Sequence, residues 1–252
     1  MSTTAIRSVS KEGHLRDAQV AMLDNPVWSA LTMDQQTVSK GGRFARRYEP
    51  ALSVFAAMEQ ATPDAYAELG TLLTSADKVA LFTTQILNPP TLFDASMLGE
   101  GYQMVAQNIP ERAPETTLQC FDLAPADVPD MQELVDLTKP GPFTARTIEL
   151  GRYLGIRQEG ALVAMIGERM RFGGLVEVSA VCVHPDHRGK RLAQMLTVEL
   201  CTRIRSDGGI PFLHVYAANQ SAIALYEKLG FVKRRRLHVT GLSLASADPI
   251  KE

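Results

Sequence analysis

The most specific segment of the sequence is Val181-Cys-Val-His-Pro-Asp-His-Arg-Gly-Lys-Arg-Leu-Ala193. Its start is typical of a strand, its middle of a tight turn, and its end begins a helix predicted over residues 188–205. The N–H groups in the first turn of a helix have no partner within the helix, and the helix dipole adds positive charge there. Gly189 gives a ligand access to the backbone, and Arg188, Lys190 and Arg191 add positive charge to the same turn. The turn is therefore a candidate cradle for a pyrophosphate, with a plain solvated connection as the alternative.

Composition limits the class of protein. The 252 residues are 45% hydrophobic and 21% charged with a net charge of −2, which excludes disorder as the main state and gives no sign of nucleic-acid binding. Residues 1–117 carry a charge of −4 and residues 118–252 carry +2, so the second part is the better site for an anion. The sequence shows no signal peptide, membrane-spanning stretch, disulfide pattern or metal motif, and so predicts a cytoplasmic protein.

The pattern of elements predicts an α/β chain with a mixed sheet. Residues 118–252 read as strand, helix, three strands, helix, strand, helix and two closing strands at 231–236 and 238–244. Residues 1–117 read as helices over 15–23, 54–58 and 66–73, the last opened by Pro63-Asp64, and as strands over 79–83 and 102–106. Prolines 110 and 114 favour a boundary near residues 109–115, which gives domains of residues 1–117 and 118–252.

Two segments of the second half resemble a known family. Arg188-Gly-Lys-Arg-Leu-Ala193 is similar to the acyl-CoA motif Q/R-x-x-G-x-G/A of the GCN5-related N-acetyltransferases (GNAT), although Arg191 stands where the family usually has glycine. Asn219-Gln-Ser-Ala-Ile-Ala-Leu-Tyr-Glu-Lys-Leu-Gly-Phe231 resembles the second signature of that family. The chain is most similar to the FR47-like and glycine N-acyltransferase-like branch, in which the first half looks like a degenerate copy of the same fold.

The resemblance implies the GNAT acyl-CoA N-acyltransferase fold in two tandem halves, of which the second carries the motifs and the first walls the acceptor pocket. It also implies acetyl-CoA as the acetyl donor and CoA as a product. In this fold the strand of Val181 splays from the strand of His214, and the open edge pairs with the pantetheine amides. Asn219 would bind the pantetheine arm, or equally would cap a helix. The residues implied to bind the coenzyme are Val181, Cys182, Val183, Arg188, Gly189, Lys190, Arg191, Leu192, Ala193, Asn219, Ala222 and Tyr226.

Acyl transfer to an amine needs a group that takes a proton from the ammonium and a group that gives one to the departing thiolate. The resemblance implies Tyr226 as the general acid. Glu177 matches a general-base glutamate of related histone acetyltransferases and glycine N-acyltransferases. Strand alternation predicts that Glu177 faces the cleft beside Val181, and its apolar surroundings predict a raised pKa. His214 is the rival base, or a proton relay or substrate contact.

The acceptor is predicted to be a primary amine of a small molecule or an amino acid that attacks directly, without an acyl-enzyme. Phe143 and Arg146 lie in a loop that lines the acceptor site in this family, where Arg146 would bind a carboxylate; Glu177 and His214 complete the substrate-side candidates. The alternatives are a protein or peptide N-terminal acetyltransferase and a non-catalytic acyl-CoA sensor. The basic run Arg234-Arg-Arg236 is expected to be solvated, and the oligomeric state is open, with a homodimer as one option.

Overall fold

The computed structural model describes residues 15–111 and 119–246. Within these ranges, none of the helices combines the length and the hydrophobicity that a membrane-spanning helix needs. The helices are α1 (Asp17–Asp24), α2 (Pro26–Thr32), α3 (Pro63–Thr71), α4 (Val128–Thr138), α5 (Leu192–Ser206) and α6 (Gln220–Lys228). The strands are β1 (Ser39–Gly41), β2 (Ala45–Tyr48), β3 (Ala56–Met58), β4 (Val79–Thr83), β5 (Phe93–Ala106), β6 (Cys120–Asp122), β7 (Tyr153–Gln158), β8 (Ala161–Phe172), β9 (Leu175–Val183), β10 (Ile210–Tyr216) and β11 (Phe231–Leu244).

The α/β class with a mixed sheet is confirmed, but the helix predicted over 54–58 and the division of the closing strand into two are wrong. Helix α3 begins at Pro63 as predicted, and the Thr62 side chain caps it by accepting a hydrogen bond from the Ala65 N–H. Residues 54–58, predicted as a helix, instead lead into β3, because backbone pairing with β2 overrides a weak helical preference. The two predicted closing strands form the single strand β11, which keeps its pairing with β5 through two bulges.

Eight strands form one sheet in the order β4-β11-β5-β10-β9-β8-β7-β6, in which the β9–β10 pair is parallel and the other pairs are antiparallel. Strands β4 and β5 come from the first half of the chain, and β5 lies between β10 and β11. The sheet is therefore continuous across the predicted domain boundary. Residues 117 and 118, where we placed that boundary, lie outside the described residues, and the division into two domains stays a prediction.

The two faces of the sheet carry different layers. On β10, Leu213 packs in one apolar cluster with Leu196 and Leu200 of α5, while the adjacent Phe212 packs in another with Leu23 and Leu31 of the first half. Neighbouring residues of a strand point to opposite faces. The first half of the chain therefore covers one face of the sheet, and α5 covers the other.

A bulge in β9 changes which residues share a face. Ala180 has a left-handed backbone with φ of 52°, and the register between β8 and β9 shifts at this point. Val178 before the bulge and Val181 after it both pack in the cluster with α5, although they are three residues apart. The prediction that Glu177 shares a face with Val181 is therefore wrong, because the extra residue reverses the alternation between them.

Candidate functional site

A cleft opens where β9 and β10 separate. The parallel pairing runs from Ile210 opposite Leu175 to Leu213 opposite Val178 and does not continue beyond. Past that point β9 pairs with β8 on its other side and β10 with β5, so the edges facing each other have backbone groups free for a ligand. The predicted splay of these strands is present in the structure.

The cleft has a volume of about 760 Å³. Among the residues implied to bind the coenzyme, the lining includes Val181, Val183, Arg188, Gly189, Arg191, Leu192, Ala193, Asn219, Ala222 and Tyr226. Cys182 and Lys190 are not part of the lining: Cys182 is buried in a cluster with Met165, and the Lys190 Nζ lies 3.3 Å from His187 Nδ1. One end of the cleft is therefore formed by the two segments that carry the family resemblance.

The turn before α5 has the free donors expected of an anion site. The His187 and Arg188 N–H groups donate to carbonyls of the preceding 3₁₀ turn and are not available. In the described chain the N–H groups of residues 189–193 donate to no backbone carbonyl, and no side chain caps α5. Gly189 has φ of 77° with open space where a side chain would begin, so a ligand can approach its backbone. The candidate cradle therefore comprises the N–H groups of residues 189–193 and leaves out those of His187 and Arg188.

Arg191 occupies a left-handed conformation, with φ of 60°, that favours glycine. We expect Arg191→Gly to raise the free energy of unfolding by about 1 kcal/mol, because the left-handed penalty disappears. The same change removes a positive charge from the cleft lining, so acetyl-CoA should bind about fivefold more weakly at low salt, with a smaller difference at high salt. Urea denaturation and calorimetry measure the two effects. Lys190→Ala is the matched control, and equal losses of affinity in both variants would contradict the assignment.

Asn219, which immediately precedes α6, and Tyr226 of α6 line the same cleft. The Asn219 side-chain oxygen accepts a hydrogen bond of 3.2 Å from the Ala222 N–H, so this residue caps α6 while also lining the cleft. The Tyr226 ring packs against Phe231, and its hydroxyl has no hydrogen-bond partner among the described residues. Burial raises the pKa of Tyr226 well above 10, so the hydroxyl keeps its proton at neutral pH.

Glu177 is held in a buried ion pair behind the cleft. Its carboxylate accepts hydrogen bonds from Arg169 Nε at 2.8 Å and from Arg169 Nη2 at 2.6 Å, and lies 2.7 Å from His214 Nδ1. Glu177 is 0% exposed, and it is not part of the cleft lining, whereas Arg169 and His214 are. Burial alone would raise its pKa, but the charge and hydrogen bonds of Arg169, with the bond to His214, lower the pKa to about 2. The prediction of a raised pKa is wrong because no local pattern indicates Arg169 as the partner of Glu177.

This ion pair makes stability depend on pH. A carboxylate whose pKa is lowered by folding contributes stability above its unfolded pKa, and the contribution is lost as the pH falls through the folded value. We expect the free energy of unfolding from urea denaturation to lose the contribution of Glu177 between about pH 5 and pH 2. A hydrogen bond from Arg47 holds the pKa of Asp77 below its usual range. Asp77 therefore adds to the slope of the unfolding free energy against pH in the same acidic range. The slope should be shallower in Asp77→Asn and shallower still in Glu177→Gln/Asp77→Asn; an equal slope in the two would contradict the account.

A chain of hydrogen bonds fixes the His214 ring from its other side. Gln103 Nε2 lies 3.1 Å from His214 Nε2 and also donates to the Leu23 carbonyl at 2.9 Å, while Gln103 Oε1 accepts from Arg234 Nη1 at 2.9 Å. These partners identify Gln103 Nε2 as a donor, so His214 Nε2 accepts and Nδ1 carries the proton toward Glu177. Arg234 is half of a further ion pair with Asp24 and is largely buried, which corrects the expectation of a solvated residue.

The remaining substrate-side candidates lie outside the cleft lining. Phe143 packs edge-on against Tyr153 in a buried cluster, and Arg146 forms ion pairs with Glu49 and Glu149. The structure therefore brings His214 and Tyr226 to the cleft, places Glu177 directly behind His214, and leaves Arg146 elsewhere.

The first half supplies cleft residues that sequence patterns did not indicate. Phe82 stacks on the His214 ring with centroids 4.5 Å apart, Phe55 stacks on Phe82 at 5.0 Å, and the Arg169 guanidinium lies 4.6 Å from the centre of the Phe55 ring. Both phenylalanines line the cleft. Neither belongs to a motif, and a buried aromatic residue in a strand is ordinary core composition, so no signal distinguishes them in the sequence.

Comparisons with known proteins agree with this geometry. Residues 153–239 match the family model described as FR47-like protein. The chain is 34% identical over 114 residues to the N-alpha-acetyltransferase RimI of Mycobacterium tuberculosis, covering 40% of this chain and 70% of that protein. It is 37% identical to a crystallised chain of Novosphingobium aromaticivorans described as an acetyltransferase of the GNAT family. That match covers 89% of this chain and 99% of the other, with a TM-score of 0.81. The chain belongs to the GNAT family. A GCN5-related N-acetyltransferase from Kribbella flavida, at 12% identity and a TM-score of 0.60, shares the fold.

Membership makes this GNAT protein an acyltransferase, and acetyl-CoA is the acetyl donor of the family. The chain departs from the motif at Arg191, whose left-handed backbone keeps the conformation that glycine would adopt. The open strand edge and the free N–H groups of residues 189–193 fit the amides and the diphosphate of such a coenzyme. The family resemblance read from the sequence is thus confirmed.

Proposed function

We propose that this GNAT protein transfers the acetyl group of acetyl-CoA to the primary amine of a small molecule or an amino acid. The observation that carries the proposal is the continuity of one cleft from the free N–H groups before α5 to Tyr226 and His214. A diphosphate at the first end and an amine at the second would hold the two reactants together, which by itself accelerates a bimolecular reaction.

The coenzyme would be held by backbone and charge. The N–H groups of residues 189–193 and the guanidinium of Arg191 would bind the diphosphate, and the unpaired edge of β9 at Val181 and Val183 would bind the pantetheine amides. Asn219 keeps its side-chain amide N–H groups for the same arm, because its oxygen already caps α6. The bound thioester supplies an acetyl group with a good leaving group.

His214 is the group that we propose takes the proton from the amine. Glu177, ranked first as the base from the sequence, has both oxygens engaged and does not line the cleft. It instead holds the proton of His214 on Nδ1 and stabilises the positive ring that forms, which leaves Nε2 as the acceptor. The N–H of an arriving amine would replace Gln103 as the donor to Nε2.

Tyr226 is the proposed proton donor. Its hydroxyl stays protonated because burial raises its pKa, and it is free of other partners in the described structure. Donation to the sulfur as the carbon–sulfur bond breaks leaves a thiol rather than a thiolate. The amine attacks directly in this scheme, since Cys182 is buried among apolar side chains and burial raises its pKa to about 12.

A second candidate acceptor is the α-amine of a peptide, which the similarity to RimI favours. A third reading is a coenzyme sensor without catalysis. Calorimetry with acetyl-CoA, followed by a thiol-release assay with free amino acids, simple amines and short peptides, separates the three. Turnover on small amines supports the proposal, turnover on peptides alone supports the second candidate, and coenzyme binding without turnover on any amine supports a sensor.

A further inference from the structure

The described residues place no carboxylate in the lining of the acceptor end of the cleft. Among the described residues that line the cleft there is no Asp or Glu, although Lys139, Arg169, Arg188 and Arg191 are all present. Glu177 lies behind the lining, and its charge is neutralised by the ion pair with Arg169. A positively charged group that entered here would lose water without gaining an opposite charge, which is unfavourable.

The same end has apolar walls. Phe55 and Phe82 stack beside His214, and Leu237 and Val239 of β11 line the cleft near them. Leu98 of β5, which is 51% exposed, extends the apolar surface to the outer rim of the cleft. Such a surface binds aliphatic or aromatic groups by the hydrophobic effect, because binding removes apolar surface from water.

We infer that the acceptor of the proposed acetyl transfer is an amine with an apolar side group and no second positive charge. This inference rests on the proposed function and narrows it: polyamines, diamines and lysine side chains would be poor acceptors. Since the charges near His214 cancel, none of the described residues there stabilises an ammonium ion, and the amine must reach His214 close to its neutral form. An α-amine, with a pKa of about 8, meets this condition more readily than a lysine ε-amine at about 10.4.

The sharpest test compares norleucinamide with lysinamide, which share an α-amine and four side-chain carbons and differ in the ammonium group that lysinamide carries on the last of those carbons. In a thiol-release assay with acetyl-CoA, kcat/KM for norleucinamide should exceed that for lysinamide by about tenfold or more. Shortening the aliphatic side chain by one methylene should lower kcat/KM by about fourfold, the equivalent of one buried CH₂. Equal kcat/KM for norleucinamide and lysinamide would overturn the inference while leaving the acetyltransferase proposal intact.

A carboxylate placed at the rim should reverse the preference. Leu98→Asp is expected to raise kcat/KM for lysinamide and lower that for norleucinamide, changing their ratio by about fivefold. Ile86→Asp is the matched control, because Ile86 is also exposed, at 68%, and does not line the cleft. An unchanged ratio in Leu98→Asp, or the same change in both variants, would contradict the assignment of this wall to the acceptor.

A binding measurement keeps the inference separate from the proposed function. Calorimetry on the complex with CoA should show tighter binding of N-acetylnorleucinamide than of Nα-acetyllysinamide, and Phe82→Ala should weaken the first more than the second. If no amine is turned over but this preference is present, the catalytic proposal fails and the apolar, uncharged acceptor site stands. If both compounds bind equally well, the inference fails whether or not the chain is active.

Discussion

Glu177→Gln is expected to lower kcat by about 10²–10⁴ and to destabilise the fold by about 3–5 kcal/mol. The loss of stability arises because Arg169, which is almost fully buried, keeps its charge after its partner has lost its own. The loss of turnover arises because a neutral amide no longer stabilises the positive His214 ring. A thiol-release assay with acetyl-CoA measures the loss of turnover, and urea denaturation at neutral pH measures the loss of stability.

Stability and catalysis can be separated by a second variant. In Arg169→Gln/Glu177→Gln the buried charge is gone and the two amides can pair, so most of the lost stability should return, as is common when a whole buried ion pair is replaced. Turnover should stay low, because the carboxylate beside His214 is still absent, while the affinity for acetyl-CoA stays near that of the wild type. If turnover recovers together with stability, Glu177 has only a structural role.

Tyr226→Phe is expected to lower kcat by about 10²–10³ with little change in stability or in the affinity for acetyl-CoA. The hydroxyl forms no hydrogen bond within the described chain, and the ring packs against Phe231 in a way that phenylalanine preserves. Its removal therefore leaves the packing unchanged but takes away the proposed proton donor. Single-turnover kinetics with a reactive amine report on this step.

The matched control for this variant is Tyr66→Phe. The Tyr66 hydroxyl is likewise buried without a hydrogen-bond partner, but Tyr66 lies in a separate apolar cluster with Leu69 and Phe93 and does not line the cleft. We expect Tyr66→Phe to leave kcat unchanged and to preserve or raise the melting temperature. Unchanged turnover in Tyr226→Phe would reassign the donor to a water molecule.

Local patterns in the sequence predicted the class of fold and one end of the cleft. Residues that are close together in the chain form the turn at Gly189, the helix that follows it and the helix that carries Tyr226. Local sequence patterns therefore predict these features. The same holds for α3, which begins where Pro63 follows a capping residue. At each of these places the sequence pattern and the observed local structure agree.

The acceptor end needed the tertiary structure, because its residues come from distant parts of the chain. Gln103 and Phe82 reach His214 only through the pairing of β5 and β4 with strands of the second half, and Arg169 reaches Glu177 across β8 and β9. The bulge at Ala180 reversed the side on which Glu177 lies, and strand alternation alone cannot reveal such a shift of register. Short segments of the chain therefore encode the family and the coenzyme end of the cleft, and both can be predicted without a structure. The ionisation of Glu177 and the walls of the acceptor pocket depend on long-range contacts that leave no local pattern, so they become apparent only in the folded chain.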